Sequence, residues 1–370
     1  MVSPAPVDLD EVLSPAWLDA TLGARYPGTR VAATTVTEDL RTIATKVRFD
    51  VAYDANPSGA PGALCVKGYF GSDSEGFRSL GQMEARFYSE IAPHLSVQVP
   101  PCVHTGIDPN TGHGLILMED LVAGGSTFLT AMSAYSVDQA AATLDQLARL
   151  HTADRGAITA DTAWLAPRLG GYLDYVTEER LQDQLDDGRA DGLDPSVRRA
   201  DRLRAGLGVL SAHSAAHADC LVHGDAHAGN LYLAPDGTPG LIDWQVVQWG
   251  AWELDVAYHL GAVLDVDDRR AHERALLGHY LDALRAHGGH APAEADAWAA
   301  YRAALVYGYF MWGITQRVER PILVTFVQRL GTAEDVAQAV VYLAKAPFVT
   351  GHEILVDGGV VLAGQHSGEG

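Results

Sequence analysis

HGDAHAGNLYLAPDGTPGLID, residues 223–243, sets Asp225, Asn230 and Asp243 around a short hairpin whose turn is marked by Asp236 and Gly237. That arrangement suits phosphoryl transfer. A hydroxyl nucleophile needs a carboxylate to orient it and accept its proton, while ATP needs Mg²⁺ held by oxygen ligands that also neutralise charge on the transferring phosphate. Asp225 suits the first task; Asn230 and Asp243 suit the second. The pair His223 and His227 opens a competing reading, a metal-dependent hydrolase, because closely spaced His and Asp residues resemble metal ligands. Such a site needs further ligands, and His213, His217 and His259 lie in no second ligand motif.

Outward from this stretch the pattern changes from strand to helix. VAATTVTEDL (31–40) and TKVRFDVAY (45–53) are rich in β-branched residues, and Pro57, Gly59, Pro61 and Gly62 supply a turn before ALCVKGYF (63–70). Three antiparallel strands are predicted. From Gly76 to Pro93 the apolar Met83, Phe87, Tyr88 and Ile91 alternate at helical spacing with Glu84, Arg86 and Glu90. GLILMEDL (114–121) reads as a short apolar strand that turns polar. Beyond Gly125 the spacing is helical over 138–153, 171–185 and 197–217, and, after the hairpin, over 255–264, 269–287 and 293–315. The expectation is an α+β chain, sheet-rich first and helix-rich second, with the hairpin at the junction.

The 370 residues are 48% hydrophobic and 20% charged, which describes a globular chain large enough for two lobes. A formal charge of −21 without any Lys/Arg cluster argues against nucleic-acid binding. A cationic substrate suits that acidity, as does solubility alone. Cys65, Cys102 and Cys220 form no CxxC pair, so neither a disulfide framework nor a zinc knuckle is indicated. The opening MVSPAPVDLDEVLSP lacks a basic start followed by an apolar run, and no stretch is long and apolar enough to span a bilayer. A cytoplasmic location without membrane attachment is expected.

HGDAHAGN followed by LIDWQ resembles the signature of the aminoglycoside phosphotransferase and choline kinase-like superfamily, small-molecule kinases with a protein-kinase-like fold. The resemblance extends in order through Lys67 in LCVKGY, Glu84 in QMEARFYSEIAPHL, MEDL (118–121), the loop itself and Asp255 in WELDVAYHL, covering roughly residues 30–332. The wording of MEDL, FYSEIAPHL and IDWQ is closest to the ecdysteroid-kinase-like branch. It implies a bilobal fold: a small antiparallel-sheet N-lobe with the ATP site and hinge over 1–121, and a helical C-lobe with catalytic loop and acceptor site over 122–332.

Carried over residue by residue, the resemblance implies that Lys67 contacts the ATP α/β-phosphates and pairs with Glu84, with Glu90 on the same helix as the rival. Met118, Glu119, Asp120 and Leu121 become the hinge whose backbone reads adenine. Asp225 becomes the base, Asn230 and Asp243 the Mg²⁺ ligands. His223 and Asp255 support the loop, and His227 supports it or lines the acceptor side. Two departures stand out. DLRTIAT (39–45) lacks the GxGxxG of protein kinases, so phosphate cover falls to other amides or to hydroxyls such as Thr42 and Thr45. Trp244 and Gln245 follow Asp243 where protein kinases have Phe and Gly, so no activation-loop switch is expected.

RLGTAEDVAQAVVYLAKAPFVTGHEILVDGGVVLAG (329–364) is similar to the end of a short-chain dehydrogenase/reductase, which makes 333–370 a helix-strand extension. No GxxxGxG follows an N-terminal strand and no YxxxK is present, so hydride transfer has no site. A homodimer contact through this tail is one hypothesis, since its apolar strand needs a partner; a recombination scar is the other. The acceptor is a hydroxylated small molecule: an aminoglycoside would suit the acidity, while Trp252, Tyr301, Tyr307, Tyr309, Phe310 and Trp312 would suit a larger, less polar alcohol. A nucleotide-binding pseudokinase is the alternative, and the intact set of Lys67, Asp225, Asn230 and Asp243 argues against it.

Overall fold

The structure, a computed structural model, describes residues 2–130, 132–158, 161–316 and 318–331. The tail 333–370, with its dehydrogenase-like helix and strand and the suggested dimer contact, lies outside the described residues. The fold is the expected α+β class, an antiparallel sheet in the N-terminal part and a mostly helical remainder.

The chain opens with α1 (Leu9–Val12) and α2 (Pro15–Arg25), which the sequence reading did not anticipate. Their start signals are local: Ser14 accepts from the Trp17 N–H and Pro15 occupies the first turn. Five strands follow as one antiparallel sheet in the order β1-β2-β3-β5-β4: β1 (Arg30–Arg41), β2 (Thr45–Ala55), β3 (Ala63–Gly68), β4 (Cys102–Ile107) and β5 (Gly114–Glu119). Strand β4 escaped the sequence reading because Pro100 and Pro101 punctuate its start, as suits an edge strand.

One face of this sheet is apolar. Val47, Phe49, Val51, Leu64, Val66, Leu115 and Leu117 form a core with Trp17, Leu18 and Leu22 of the N-terminal helices. By strand alternation, Lys46, Arg48, Cys65, Lys67, Ile116 and Met118 point to the other face.

Between β3 and β4 runs α3 (Arg78–Arg86), continued by a wide π-type turn, Phe87–Ile91, and a 3-10 turn, Ala92–His94. The helix approaches β5 where neither partner has a side chain: a Cβ on Gly114 would lie 2.5 Å from the Gly81 carbonyl carbon. After β6 (Thr127–Phe128) comes α4 (Val137–His151), started by a capping box between Ser136 and Gln139.

The stretch predicted as one helix over 171–185 is two, α5 (Leu169–Tyr175) and α6 (Glu178–Gln184). Thr177, with extended backbone, caps the second through the Arg180 N–H and so interrupts the run. Next are α7 (Ala200–Ala216), β7 (Cys220–Val222), β8 (Leu231–Leu233), β9 (Pro239–Leu241) and β10 (Gln248–Gly250). The hairpin β8-β9 joins β6 in a three-stranded sheet, and β7 pairs with β10. The described residues end with α8 (Glu253–Val263), α9 (Val266–Ala286), α10 (Glu294–Ile314) and α11 (Arg320–Leu330), the last unpredicted.

By internal contacts the chain divides into two compact units. Of the described residues, one comprises those up to 166 with 220–249 and 279–291; the other comprises 167–219, 250–278 and 292–331. The five-stranded sheet and the hairpin thus belong to a single unit. In the other, α8 is buried along its whole length and α10 is apolar nearly all round, as central helices of a bundle must be.

Candidate active site

The approach of α3 to β5 places Glu84, one turn beyond Gly81, against β3. Lys67 Nζ lies 2.7 Å from Glu84 Oε2 and 3.1 Å from Asp243 Oδ1. Both side chains of the Lys67–Glu84 pair are about 95% buried, with exposures of 5% and 4%. Burial acts to lower the Lys67 pKa, but the Asp243 and Glu84 carboxylates outweigh it and hold the ammonium above its ordinary value. Lys67 is therefore charged throughout the physiological range. Burial pushes Asp243 the other way, and Lys67 and then Lys46 overcome it, keeping this carboxyl below its usual range. Glu90, the rival on the same helical stretch, is paired instead with Arg86 and accepts from Trp164 Nε1.

Asp243 is the one non-glycine residue with a left-handed backbone among the described residues, at φ 66° and ψ 64°. That conformation costs about 1–2 kcal/mol for an ordinary L-residue and is borne more easily by Asp. It turns the chain out of β9 so that the carboxylate meets Lys67. The next residue, Trp244, is fully buried and stacks on Phe87, with ring centroids 3.9 Å apart and planes 8° from parallel. Its other neighbour is the His223 ring at 4.5 Å. The π-type turn after α3, the residue after Asp243 and the start of the loop are thus packed as one aromatic column.

Within the loop, His223 Nε2 donates to the Ile242 carbonyl at 2.8 Å and Nδ1 accepts from the Asp225 N–H at 3.2 Å. Both ring nitrogens are therefore committed to backbone and the tautomer is set. Gly224 between them has φ 79°, and a Cβ there would come within 2.9 Å of the Val246 carbonyl oxygen, so the position needs glycine. Asn230 Nδ2 donates to both the backbone oxygen and Oδ2 of Asp225, each at 2.9 Å, and the Asn230 carbonyl accepts from Ile242 N–H at 3.0 Å. The Asp225 carboxylate is thereby anchored through Oδ2.

His227 accepts from Gly229 N–H through Nδ1, and its Nε2 is 3.7 Å from Asp225 Oδ2. Burial lowers its pKa to about 3, against the opposing field of Asp243, so the ring is neutral at pH 7. A hydrolytic metal centre built on His223, Asp225 and His227 does not fit these contacts. Among the described residues no cluster of three His, Cys, Asp or Glu side chains is placed to hold a metal. Asp255 lies in the first turn of α8, fully buried, in the other unit.

The segment 118–121 continues β5. Glu119 N–H donates to the Pro101 carbonyl at 3.0 Å, but Pro101, opposite, has no N–H to return, which leaves the Glu119 carbonyl without a ladder donor. Among the described residues the Leu121 N–H likewise has no partner. The Asp120 side chain is not part of that edge. It is buried and takes a bidentate bond from Arg48 Nε at 2.9 and 3.0 Å, while Arg48 also reaches Glu38. The Glu119 side chain is exposed and Met118 is half-buried beside Cys65 on the charged face of the sheet.

Three features escaped the sequence reading. Thr42, offered as phosphate cover, spends its hydroxyl on the Ala44 carbonyl, and Thr45 is buried in the strand. Tyr301, Tyr307, Tyr309, Phe310 and Trp312, offered as acceptor-side aromatics, are core residues of α10, buried to within 5% exposure. Lys46, not singled out at all, stands directly opposite Lys67 in the β2-β3 register. Burial and then repulsion from Lys67 hold it below the ordinary lysine pKa, with Asp243 and Glu84 opposing. The signal for it was present once the register of the hairpin was known, and register is what a seven-residue loop between two strands conceals.

The sequence profile of the phosphotransferase enzyme family matches residues 73–303, more than half of the chain, and the chain belongs to that family. It is a phosphotransferase. Similar solved structures include a macrolide 2'-phosphotransferase from Brachybacterium faecium, 20% identical over 89% of this chain and 99% of that one with a TM-score of 0.44. A choline kinase from Streptococcus pneumoniae is 14% identical, covering 86% and 97%, with a TM-score of 0.46. The AMP-bound spectinomycin phosphotransferase is 12% identical, covering 94% and 100%, with a TM-score of 0.48. No curated protein sequence matches the chain.

Proposed function

We propose that the protein transfers the γ-phosphoryl group of ATP to a hydroxyl of a small molecule, with Asp225 as the base. The observation that carries this is the convergence, in one compact unit, of the ion triad Lys67–Glu84–Asp243 with the Asn230-anchored carboxylate of Asp225. Lys67 is the cation for the α- and β-phosphates, held in place by Glu84. The adenine edge meets the Glu119 carbonyl and the Leu121 N–H, an acceptor and a donor suited to its amino group and ring nitrogen. Support for the loop falls to His223, and a scaffolding role to Asp255.

Asn230 and Asp243 fit Mg²⁺ by the chemistry of their donors. The bonds of Asn230 to Asp225 use its amide nitrogen and leave its oxygen, and Asp243 meets Lys67 through one carboxylate oxygen of two. Bound there, the ion would neutralise charge on the transferring phosphate. The Asp225 carboxylate orients the acceptor hydroxyl and takes its proton as the hydroxyl oxygen bonds to the γ-phosphorus and the bond to the ADP oxygen breaks. Because His227 is neutral, no imidazolium stands against the base.

Replacing Asp225 by Asn should lower kcat by about 10²- to 10⁴-fold while ATP affinity changes little. Turnover measured with an acceptor found by mass-spectrometric screening for gain of one phosphate provides the test. Retention of most of the activity would overturn the assignment. The acidity of the chain, at −21, favours acceptors carrying ammonium groups in that screen.

A further inference from the structure

We infer that Lys46 is a second phosphate-holding lysine, which contacts the β- and γ-phosphates of the donor nucleotide in the role a glycine-rich loop fills elsewhere. The inference rests on the ATP reading above and concerns the same site. Three cations lie on the charged face of the sheet: Lys46, Arg48 and Lys67. Arg48 is neutralised by Asp120 and Glu38, and Lys67 by Glu84 and Asp243. Lys46 has no ion pair or hydrogen bond among the described residues, although it is half-buried. An ammonium withdrawn from water without a partner is costly, and an anion entering beside it relieves that cost.

Position selects which phosphates. The adenine-facing segment ends β5, Lys67 is on the neighbouring β3, and Lys46 is on β2, one strand further out. Adjacent strands are about 4.8 Å apart, so Lys46 is displaced from Lys67 in the direction away from the adenine-facing segment. Lys46 follows directly on the β1-β2 turn, where a covering loop would be sought. That turn has closed on itself: the Thr42 N–H and hydroxyl both bond the Ala44 carbonyl, and Ser74 takes the Ile43 carbonyl. Those bonds spend both Thr42 donors, and the lysine next to the turn is the charged donor there.

The test is calorimetric titration of the full chain with adenosine, AMP, ADP and ATP in the presence of Mg²⁺, for the wild type, Lys46→Ala and Lys46→Arg. Lys46→Ala should weaken ATP by about 10- to 100-fold, the range of a charge-assisted contact, and ADP by less. Adenosine and AMP should stay within about twofold, and Lys46→Arg should recover most of the ATP affinity. Loss of equal size for all four ligands would mark a folding role and overturn the inference, as would unchanged ATP binding. A wild type that binds ATP no better than adenosine would instead overturn the ATP reading itself.

Discussion

The two faces of the five-stranded sheet are built from the same strands and do opposite work. Along β2, Val47, Phe49 and Val51 point to the N-terminal helices, and Lys46 and Arg48 to the other side; along β3, Leu64 and Val66 alternate with Cys65 and Lys67. The apolar face supplies the burial that stabilises the sheet. The opposite face carries charge that burial alone would expel, and each cation there but Lys46 is held by carboxylates from elsewhere in the chain. A period of two residues therefore lets the scaffold and the chemistry vary separately, which predicts that neighbouring substitutions on one strand act on different measurements.

The largest effect should come from the apolar face. Phe49 has no exposure and packs among Trp17, Leu18 and Leu22, so Phe49→Ala should cost about 3–5 kcal/mol of unfolding free energy in a urea titration. Lys46→Ala, three residues earlier on the other face, should stay within about 1 kcal/mol in the same titration. Comparable losses for the two would break the separation.

Stability should also depend on pH through the loop beside that charge, where the apolar face contributes no titrating group. His227 is lowered to about 3 by burial, against about 6.5 for a free imidazole, so between those values the unfolded chain takes a proton that the folded chain refuses. Its neutral state stabilises the fold above pH 6.5, and that contribution is lost as pH falls towards 3. His227→Gln should therefore flatten the decline of the unfolding free energy in urea titrations between pH 7 and pH 4, by an amount on the order of 2 kcal/mol. A variant whose unfolding free energy falls with acid as steeply as the wild type would show that this ring is not held neutral.

How much of this was legible in the sequence follows from how local each signal is. The strands containing Val31, Val47 and Lys67 and the hairpin at Asp236 and Gly237 are written in alternation and turn residues, and the structure places them within a residue or two of the reading. The set Lys67, Asp225, Asn230 and Asp243 was singled out by its order along the chain, and the structure brings Lys67 to Asp243 and Asn230 to Asp225. What could not be read depends on register and packing. Lys46 acquires meaning only when paired with Lys67, Trp244 only when stacked on Phe87, and the break at Thr177 only because its hydroxyl caps a new helix. The α10 aromatics failed in the same way, since a run of apolar residues does not reveal whether a cavity or a core surrounds it.

The smallest effect lies at the edge where the two faces end. Pro101 accepts the Glu119 N–H but cannot donate, which leaves the Glu119 carbonyl for the adenine amino group in the proposed ATP site. Pro101→Ala supplies an N–H at that register, which can close the ladder and compete for the same oxygen. ATP should then bind about 2- to 10-fold more weakly, the worth of one neutral hydrogen bond. GTP, whose ring oxygen faces that carbonyl as an acceptor, gains nothing from a free Glu119 oxygen and should lose nothing. The measured quantity is the ratio of ATP to GTP affinity. A fall in the ratio at unchanged urea midpoint would place nucleotide-base selection in a missing strand hydrogen bond, whereas a parallel weakening of both nucleotides would assign Pro101 to the shape of the edge alone.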